Sequence, residues 1–148
     1  MASKQLILPA LLLIILAGVS LAVEADYDYN DCRVGKSIPY NPLPGCREYI
    51  TRRCGVRDEH LVPGQLKQRC CRELSDLPQN CRCDALNILA LGVITEEGAR
   101  VGGMQAVPGC DKERIPFMAS SLTAYRECNL QNPVGQGEDC VIFRGGIS

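Results

Sequence analysis

The chain has 148 residues, with 16 lysines and arginines against 17 aspartates and glutamates, for a net charge of -1 at pH 7. This balance argues against nucleic-acid binding, which favours a strongly basic surface. The sequence contains no tryptophan and only two phenylalanines and five tyrosines, so few large aromatic side chains are available for a core. A single histidine leaves the usual acid–base groups of an active site incomplete, and we predict a protein that is not an enzyme.

Residues 1–25 have the organisation of a signal peptide. Lys4 provides the positive start, and residues 6–16 are apolar apart from one proline. Small residues then allow cleavage after Ala22 or Ala25, and the chain becomes polar immediately afterwards. The apolar run is short for a membrane-spanning helix of about 20 residues, so we expect no membrane anchor. The prediction is a secreted protein whose single domain comprises residues 26–148.

Ten cysteines lie in residues 26–148, and their even number in a secreted chain predicts structural disulfides. Zinc sites favour Cys-x2–4-Cys pairs, whereas this chain has adjacent and one-residue-spaced cysteines, so we expect no metal and no cofactor. Cys70 and Cys71 are adjacent and must bridge different parts of the chain. The closely spaced Cys81 and Cys83 should also take separate partners.

The first two predicted helices rest on apolar residues at helical spacing. Pro44 and Gly45 begin the first helix, and Pro63 and Gly64 begin the second. Residues 75–78, Ser-Asp-Leu-Pro, end the second helix because proline cannot continue it. The residues expected on the buried faces are Cys46, Ile50 and Cys54 in the first helix and Leu66, Cys70, Leu74 and Leu77 in the second.

Two more helices are predicted in the second half of the chain. Asn80 is expected to cap the third helix, and Asp111 to cap a short fourth helix that Pro116 kinks or ends. The glycine-rich residues 98–109 indicate a long connection, and the tail from Asn129 onward indicates a loop. The apolar positions expected to face the core are Cys83, Leu86, Ala90 and Val93 in the third helix and Ile115 and residues 118–122 in the fourth.

Arginines are concentrated in the middle of the chain. We expect them to form a solvated helix face together with nearby acidic residues, because the overall charge is balanced. The arginines are Arg47, Arg52, Arg53, Arg57, Arg69, Arg72 and Arg82, and the acidic residues are Glu48, Glu73 and Asp76.

The order of the cysteines is distinctive: three singles, an adjacent pair, a Cys-x-Cys pair and three more singles. Residues 40–47 read Tyr-Asn-Pro-Leu-Pro-Gly-Cys-Arg, residues 69–74 Arg-Cys-Cys-Arg-Glu-Leu, and residues 81–86 Cys-Arg-Cys-Asp-Ala-Leu. Pro-Gly-Cys at 108–110 and Glu-Cys-Asn-Leu at 127–130 complete the pattern. Together they resemble the cereal α-amylase/trypsin inhibitor family, which is related to lipid-transfer proteins and 2S albumins.

The resemblance implies an all-α fold, a disulfide-stapled four-helix right-handed superhelical bundle with long loops. It implies a secreted seed protein, extracellular or in a seed endomembrane compartment, that defends against pests and belongs to a group that includes allergens. It also implies five disulfides, which are Cys32–Cys81, Cys46–Cys70, Cys54–Cys110, Cys71–Cys128 and Cys83–Cys140.

In trypsin inhibitors of this family, a rigid loop between the third cysteine and the adjacent cysteine pair binds the protease like a substrate. The corresponding residues 55–63 read Gly-Val-Arg-Asp-Glu-His-Leu-Val-Pro, whereas inhibitory family loops resemble Gly-Val-Gly-Pro-Arg-Leu. Alignment of the flanking residues places His60, followed by Leu61, where the resemblance implies an arginine. The alternative for His60 is an ordinary exposed loop residue.

Neither candidate for the specificity position fits trypsin well. His60 is mostly neutral near pH 7 and shorter than arginine, whereas the trypsin pocket ends in a carboxylate. Arg57 has the right charge, but two acidic residues follow it directly and weaken the electrostatic fit. We therefore expect weak or absent inhibition of trypsin.

In bifunctional members of the family, the N-terminal segment enters the cleft of α-amylase, whose catalytic groups are carboxylates. Residues 26–31 read Asp-Tyr-Asp-Tyr-Asn-Asp. The three acids oppose an acidic cleft, whereas the tyrosines can stack in a sugar-binding site. The alternative is a solubilising terminus without a binding role.

The resemblance leaves two alternatives to inhibition open. A storage or defence protein without inhibitory activity would resemble the glutamine-rich 2S albumins, and a lipid-binding relative would need an apolar tunnel. The ten cysteines and their flanking motifs favour the inhibitors. The predicted partners are digestive hydrolases, namely a trypsin-like serine protease and an α-amylase, bound by a monomer or a homodimer.

Overall fold

The computed structural model describes residues 31–55, 62–104 and 107–142. Within these ranges the chain forms four α-helices, which confirms the predicted all-α class with four helices; α1 is Pro44–Gly55, α2 is Gly64–Ser75, α3 is Arg82–Leu91 and α4 is Arg114–Ser120. Short 3-10 turns lie before α3 (Gln79–Cys81) and after α4 (Ser121–Thr123). None of the helices in these ranges is long and apolar enough to cross a membrane.

The predicted helices α1 and α2 are confirmed. Cys46, Ile50 and Cys54 are buried on one face of α1, together with Tyr49. In α2, Cys70 and Leu74 are buried, Leu66 packs against the core from a partly buried position, and Leu77 is buried just after the helix. The two helices pack against each other, α4 packs against α1 and α3, and small aliphatic side chains and half-cystines fill the space between them.

The start and end of α3 differ from the prediction. The helix begins at Arg82 with Cys81 at the capping position and no side-chain cap, so the prediction that Asn80 caps it is wrong. Asn80 belongs to the preceding 3-10 turn, in which the carbonyl of Pro78 accepts the amide of Cys81. This turn moves the helix start one residue along the chain. Gly92 ends the helix, so Val93 lies outside it.

The described part of residues 98–109 belongs to the non-helical connection between α3 and α4, as predicted, but it also contains a short strand. Arg100–Val101 forms strand β2, which pairs antiparallel with strand β1, Val93–Ile94. The next residues then run along α3, where the amide of Gly103 donates to the carbonyl of Ile88 at 2.9 Å. Gly102 has a φ of +72°, and a Cβ there would lie 2.1 Å from the carbonyl oxygen of Ile88. The glycines allow this close approach of two backbones.

The fourth helix also departs from the prediction at its start. Glu113 is the capping residue and makes no side-chain cap, while Asp111 contributes its backbone carbonyl to the amide of Arg114 at 2.9 Å. Pro116 does not end the helix, which continues to Ser120. Because Pro116 lies in the first turn, its missing N–H would have had no helical partner.

The described part of the predicted tail, residues 129–142, is non-helical as expected, and it is organised by Asn132. Asn132 is 1% exposed. Its side-chain amide donates to Thr123 Oγ1 at 2.8 Å and to the carbonyl of Glu138 at 2.7 Å. Its side-chain oxygen accepts the amides of Val134 and Gly135 at 2.8 and 3.0 Å. These bonds satisfy every polar atom of the buried amide, so the tail packs against the end of α4 instead of leaving the body of the protein.

Candidate functional site between α1 and α2

The three candidate reactive-site residues, Arg57, His60 and Leu61, lie outside the described residues, and their roles stay predictions. The structure describes the two stems of their segment. Residues 54–55 end α1, and residues 62–64 lead into α2. Val62 packs against the hydrophobic core, so the stem that enters α2 is anchored before the helix begins.

The ten cysteines form five disulfides, and these are the pairs that the family resemblance implies. The adjacent Cys70 and Cys71 take different partners, as geometry requires, and no cysteine is free. The pairs are Cys32–Cys81, Cys46–Cys70, Cys54–Cys110, Cys71–Cys128 and Cys83–Cys140.

Three of these disulfides hold the helix pair that carries the segment. Cys46–Cys70 joins the first turn of α1 to the middle of α2. Cys54–Cys110 ties the last turn of α1 to the residues before α4. Cys71–Cys128 ties α2 to the chain after α4. The candidate segment is therefore preceded and followed in the sequence by helices that are cross-linked to each other and to the rest of the fold.

At the end of the helix pair remote from the segment, Glu73 of α2 contacts the start of α1. Its Oε2 accepts the amide of Gly45 at 2.7 Å, which is one of the N–H groups that a helix leaves without an internal partner. A Cβ at residue 45 would lie 2.8 Å from Glu73 Oε1, so glycine permits this approach. The carboxylate also lies at the positive end of the α1 dipole, where negative charge is favourable.

At the end adjoining the segment, Glu127 contacts both helices. Its side chain is 7% exposed and pairs with Arg53 of α1 and with Lys67 of α2, the latter at 3.1 Å. The hydroxyl of Tyr49 donates to Glu127 Oε2 at 3.1 Å. The guanidinium of Arg53 also lies 5.8 Å from the centre of the Tyr49 ring, a distance at which cation and ring attract each other.

The prediction that the arginines form one solvated face is wrong for several of them. Arg47 donates to the carbonyl of Gly103 at 3.0 Å and so ties α1 to the residues after β2. Arg82 donates to the carbonyls of Leu74, Ser75 and Gln131. Arginine has five N–H donors in a fixed planar arrangement, and it therefore satisfies several backbone carbonyls at once. Arg52, Arg69 and Arg72 are exposed as predicted.

Asp31, directly before Cys32, forms an ionic cluster with two basic residues that follow Cys32. Asp31 accepts hydrogen bonds from Arg33 at 2.6 Å and from Lys36 at 2.5 Å. These bonds, first of all the one from Arg33, hold the pKa of Asp31 well below its ordinary value of 3.8. Arg33 also lies 3.3 Å from Glu96 in the turn between β1 and β2. These contacts fix the position of Asp31 relative to the turn between β1 and β2.

Sequence reasoning did not identify Glu127, Lys67 or Glu73 as parts of this arrangement. Arg53 and Glu127 are 74 residues apart, and no local periodicity relates two charges at such a distance. The Glu-Cys motif at 127–128 was the one available signal, since the disulfide of Cys128 to Cys71 brings its neighbour to α2.

Among the described residues, no group of three or more histidine, cysteine, aspartate or glutamate side chains is placed to hold a metal ion.

Residues 29–140 match the sequence model of the protease inhibitor/seed storage/LTP family. The chain belongs to this family. Within it, this member resembles a trypsin/factor XIIA inhibitor of Zea mays, with 43% identity over 118 residues that cover 78% of this chain and 76% of the relative. It is also 41% identical to an α-amylase/trypsin inhibitor of Eleusine coracana over 116 residues, which cover 77% of this chain and 93% of the relative.

The fold agrees with these likenesses. The structure is similar to that of a recombinant bifunctional Hageman factor/amylase inhibitor from maize, with a TM-score of 0.65 and 43% identity. The match covers 75% of this chain and 97% of the maize chain. The resemblance to the cereal α-amylase/trypsin inhibitors is thereby confirmed, and with it the disulfide-rich all-α fold of this family member.

Proposed function

We propose that this family member is a secreted inhibitor of digestive hydrolases that acts through the segment between Cys54 and Cys70. The observation that carries the proposal is the cross-linking of both stems of this segment: Cys54–Cys110 secures α1 at its end, and Cys46–Cys70 joins α1 to α2. Membership of an inhibitor-containing family and the inhibitor names of its relatives support the same function.

Fixed stems favour inhibition for a thermodynamic reason. A segment whose ends are already held loses little conformational entropy when a protease closes around it, so more of the contact energy remains as affinity. The same stems oppose release after cleavage, because both new chain ends stay attached to cross-linked helices. A protease would therefore bind the segment like a substrate and turn it over slowly.

The proposed specificity position is His60, followed by Leu61, with Arg57 as the second candidate. Neither provides the unhindered basic side chain that the carboxylate of the trypsin pocket favours. We therefore propose that trypsin is a weak target or no target, and that a serine protease with a less acidic pocket binds more tightly.

A second candidate function is inhibition of α-amylase through the N-terminal segment. The name of the Eleusine coracana relative supports it, and so does the ionic cluster of Asp31. Asp31 is paired with both Arg33 and Lys36, so the charge of one of the three acids in residues 26–31 is neutralised by nearby cations. The repulsion expected from an acidic cleft is therefore smaller than the sequence of this segment suggests.

Secretion and the absence of catalysis are parts of the same proposal. Five disulfides persist in an oxidising compartment, which agrees with a signal peptide in residues 1–25 and cleavage after Ala22 or Ala25. Mass spectrometry of the secreted protein would locate its first residue. Size-exclusion chromatography with light scattering would decide between a monomer and a homodimer.

The test is a parallel titration of the purified oxidised protein against trypsin, chymotrypsin and an insect α-amylase. We expect sub-micromolar inhibition of at least one of them and weak or no inhibition of trypsin, and we expect reduced and alkylated protein to inhibit none. Failure against all three would contradict inhibition. Displacement of a fluorescent lipid would then support the lipid-binding alternative, and inactivity in every assay a storage role. Sub-micromolar inhibition of trypsin that is lost in His60→Ala or Arg57→Ala would contradict the trypsin prediction alone.

A further inference from the structure

Glu127 is a nearly buried carboxylate in an unusual place. Its side chain is 7% exposed, although acidic residues are rarely buried unless they are paired. It directly precedes Cys128, whose disulfide with Cys71 fastens this part of the chain to α2. The disulfide thus holds the carboxylate of Glu127 close to both α1 and α2.

The partners of Glu127 come from two different helices. Arg53 and Tyr49 of α1 bind the carboxylate, with the Tyr49 hydroxyl 3.1 Å from Oε2. Lys67 of α2 contacts the same oxygen as Tyr49, with its Nζ 3.1 Å from Oε2 and 2.9 Å from the carbonyl of Arg126. The carboxylate of Glu127 lies between two cations. Its removal would leave the positive charges of Arg53 and Lys67 close together and partly shielded from water, so that they repel each other.

Both cations lie close to the ends of the candidate segment. Arg53 is two residues before Gly55, the last residue of α1, and Lys67 is three residues after Gly64, the first residue of α2. The α1 stem also has the covalent Cys54–Cys110 link. The first disulfide in α2 is at Cys70, and the residues before it are held by the contacts of Lys67 with Glu127 and with the carbonyl of Arg126, and by apolar packing.

We propose that Glu127 is a positioning residue for inhibition: it sets the separation of the two stems and thereby the conformation in which the segment meets a protease. This inference rests on the proposed inhibitory function. Glu127 acts through Arg53 and Lys67 and does not itself touch the protease. Without it the segment still carries His60 and Leu61, but its stems open and it behaves more like an ordinary substrate.

The test compares Glu127→Gln with Glu73→Gln. Glu73 is a matched control because it is also a partly buried carboxylate, with 23% of its side chain exposed, that joins α2 to α1 but at the opposite end of the pair. Hydrogen exchange of the free protein is followed in the peptide spanning residues 55–67. We expect Glu127→Gln to accelerate exchange there by about tenfold, the size expected when a charged hydrogen bond is lost, and Glu73→Gln to leave that peptide unchanged.

The second measurement uses whichever protease the wild-type protein inhibits. Glu127→Gln should raise the inhibition constant by about tenfold and accelerate cleavage between the stems, while Glu73→Gln retains the wild-type values. Equal effects of both variants in either measurement, or no effect of Glu127→Gln, would overturn the positioning role. If the wild-type protein inhibits no hydrolase, the proposed function fails, whereas the exchange experiment still decides whether Glu127 holds the stems.

Lys67→Gln provides the variant to use if Glu127→Gln does not fold. Its side chain is 34% exposed, and the substitution removes the α2 contact while Glu127 keeps its partners in α1. The same local acceleration of exchange in residues 55–67 is expected. Wild-type exchange in Lys67→Gln would contradict the role of Glu127 in holding the α2 stem.

Discussion

Arg82 joins three parts of the fold through backbone carbonyls, and its replacement tests how much a single arginine contributes here. Its guanidinium donates to Leu74 at 3.0 Å and to Ser75 at 3.1 Å, which are the last two residues of α2, and to Gln131 of the tail at 2.5 Å. The last carbonyls of a helix have no internal partner, and a positive charge at this end also favours the helix dipole.

Arg82→Met keeps most of the aliphatic stem and removes the hydrogen bonds to Leu74, Ser75 and Gln131. A hydrogen bond from a charged donor contributes about 1.5–3 kcal/mol. The three bonds share one partly exposed side chain, so their contributions do not add. The carbonyl of Leu74 also keeps a second donor, the amide of Leu77 at 3.3 Å. We therefore expect the free energy of unfolding to fall by about 3 kcal/mol.

The assay is equilibrium unfolding in guanidinium chloride with the disulfides intact, followed by far-UV circular dichroism. The matched control is Arg72→Met, because Arg72 is an exposed arginine of α2 and its replacement should change stability by less than about 0.5 kcal/mol. The slope of the transition should stay the same while the midpoint shifts. Equal midpoints for the two variants would refute the assignment of a cross-linking role to Arg82.

Three further predictions concern the segment, the backbone approach after β2 and the N-terminal cluster. His60→Arg should tighten trypsin inhibition by at least about 30-fold, since a basic side chain in a buried pocket is a strong interface contact; an unchanged inhibition constant would place the contact elsewhere. Gly102→Ala should destabilise the fold by about 3 kcal/mol or more, because the added methyl group would overlap with α3. The control Gly98→Ala, at a similar φ of +79° with nothing within 4 Å, should destabilise it by only about 1 kcal/mol. Equal thermal midpoints for the two variants would contradict this prediction. Asp31 should titrate below 3.8 by NMR because Arg33 lowers its pKa. Its stabilising contribution is thus present above that pH and is lost as the pH falls toward the folded pKa. Arg33→Gln should move the midpoint back toward 3.8, and a wild-type midpoint at or above that value would refute the pairing.

Local signals were sufficient for the helices whose ends are punctuated by proline and glycine. The beginnings of α1 and α2, the buried faces of both, and the end of α2 before Pro78 follow from side-chain spacing and from backbone restrictions that act within a few residues. The start of α3 does not follow from local signals, because a 3-10 turn at 79–81 competes with a capped helix for the same residues. The difference between the two depends on Cys81, whose disulfide to Cys32 fixes it from outside the local sequence.

The ribbon of β1 and β2 could not be predicted for a similar reason. Each strand has two residues, too few for an alternating pattern, and glycines flank both. The strands exist because Gly102 and Gly103 let the backbone contact α3. Likewise, in the sequence Arg53, Lys67 and Glu127 each have the pattern of an ordinary surface residue. They form an ionic network only because helix packing brings them together.

The sequence by itself determined the scaffold class: ten cysteines in a distinctive order, helices between them and a segment of defined position from Cys54 to Cys70. These features depend on covalent order and on local backbone preference. The tertiary structure alone decided which charged side chains join the two helices that flank that segment, because the contacts of Glu127 with α1 and α2 join residues far apart in the chain. A buried carboxylate is stable only where packing has placed its cationic partners beside it. The order of residues in the sequence does not show which residues packing brings together.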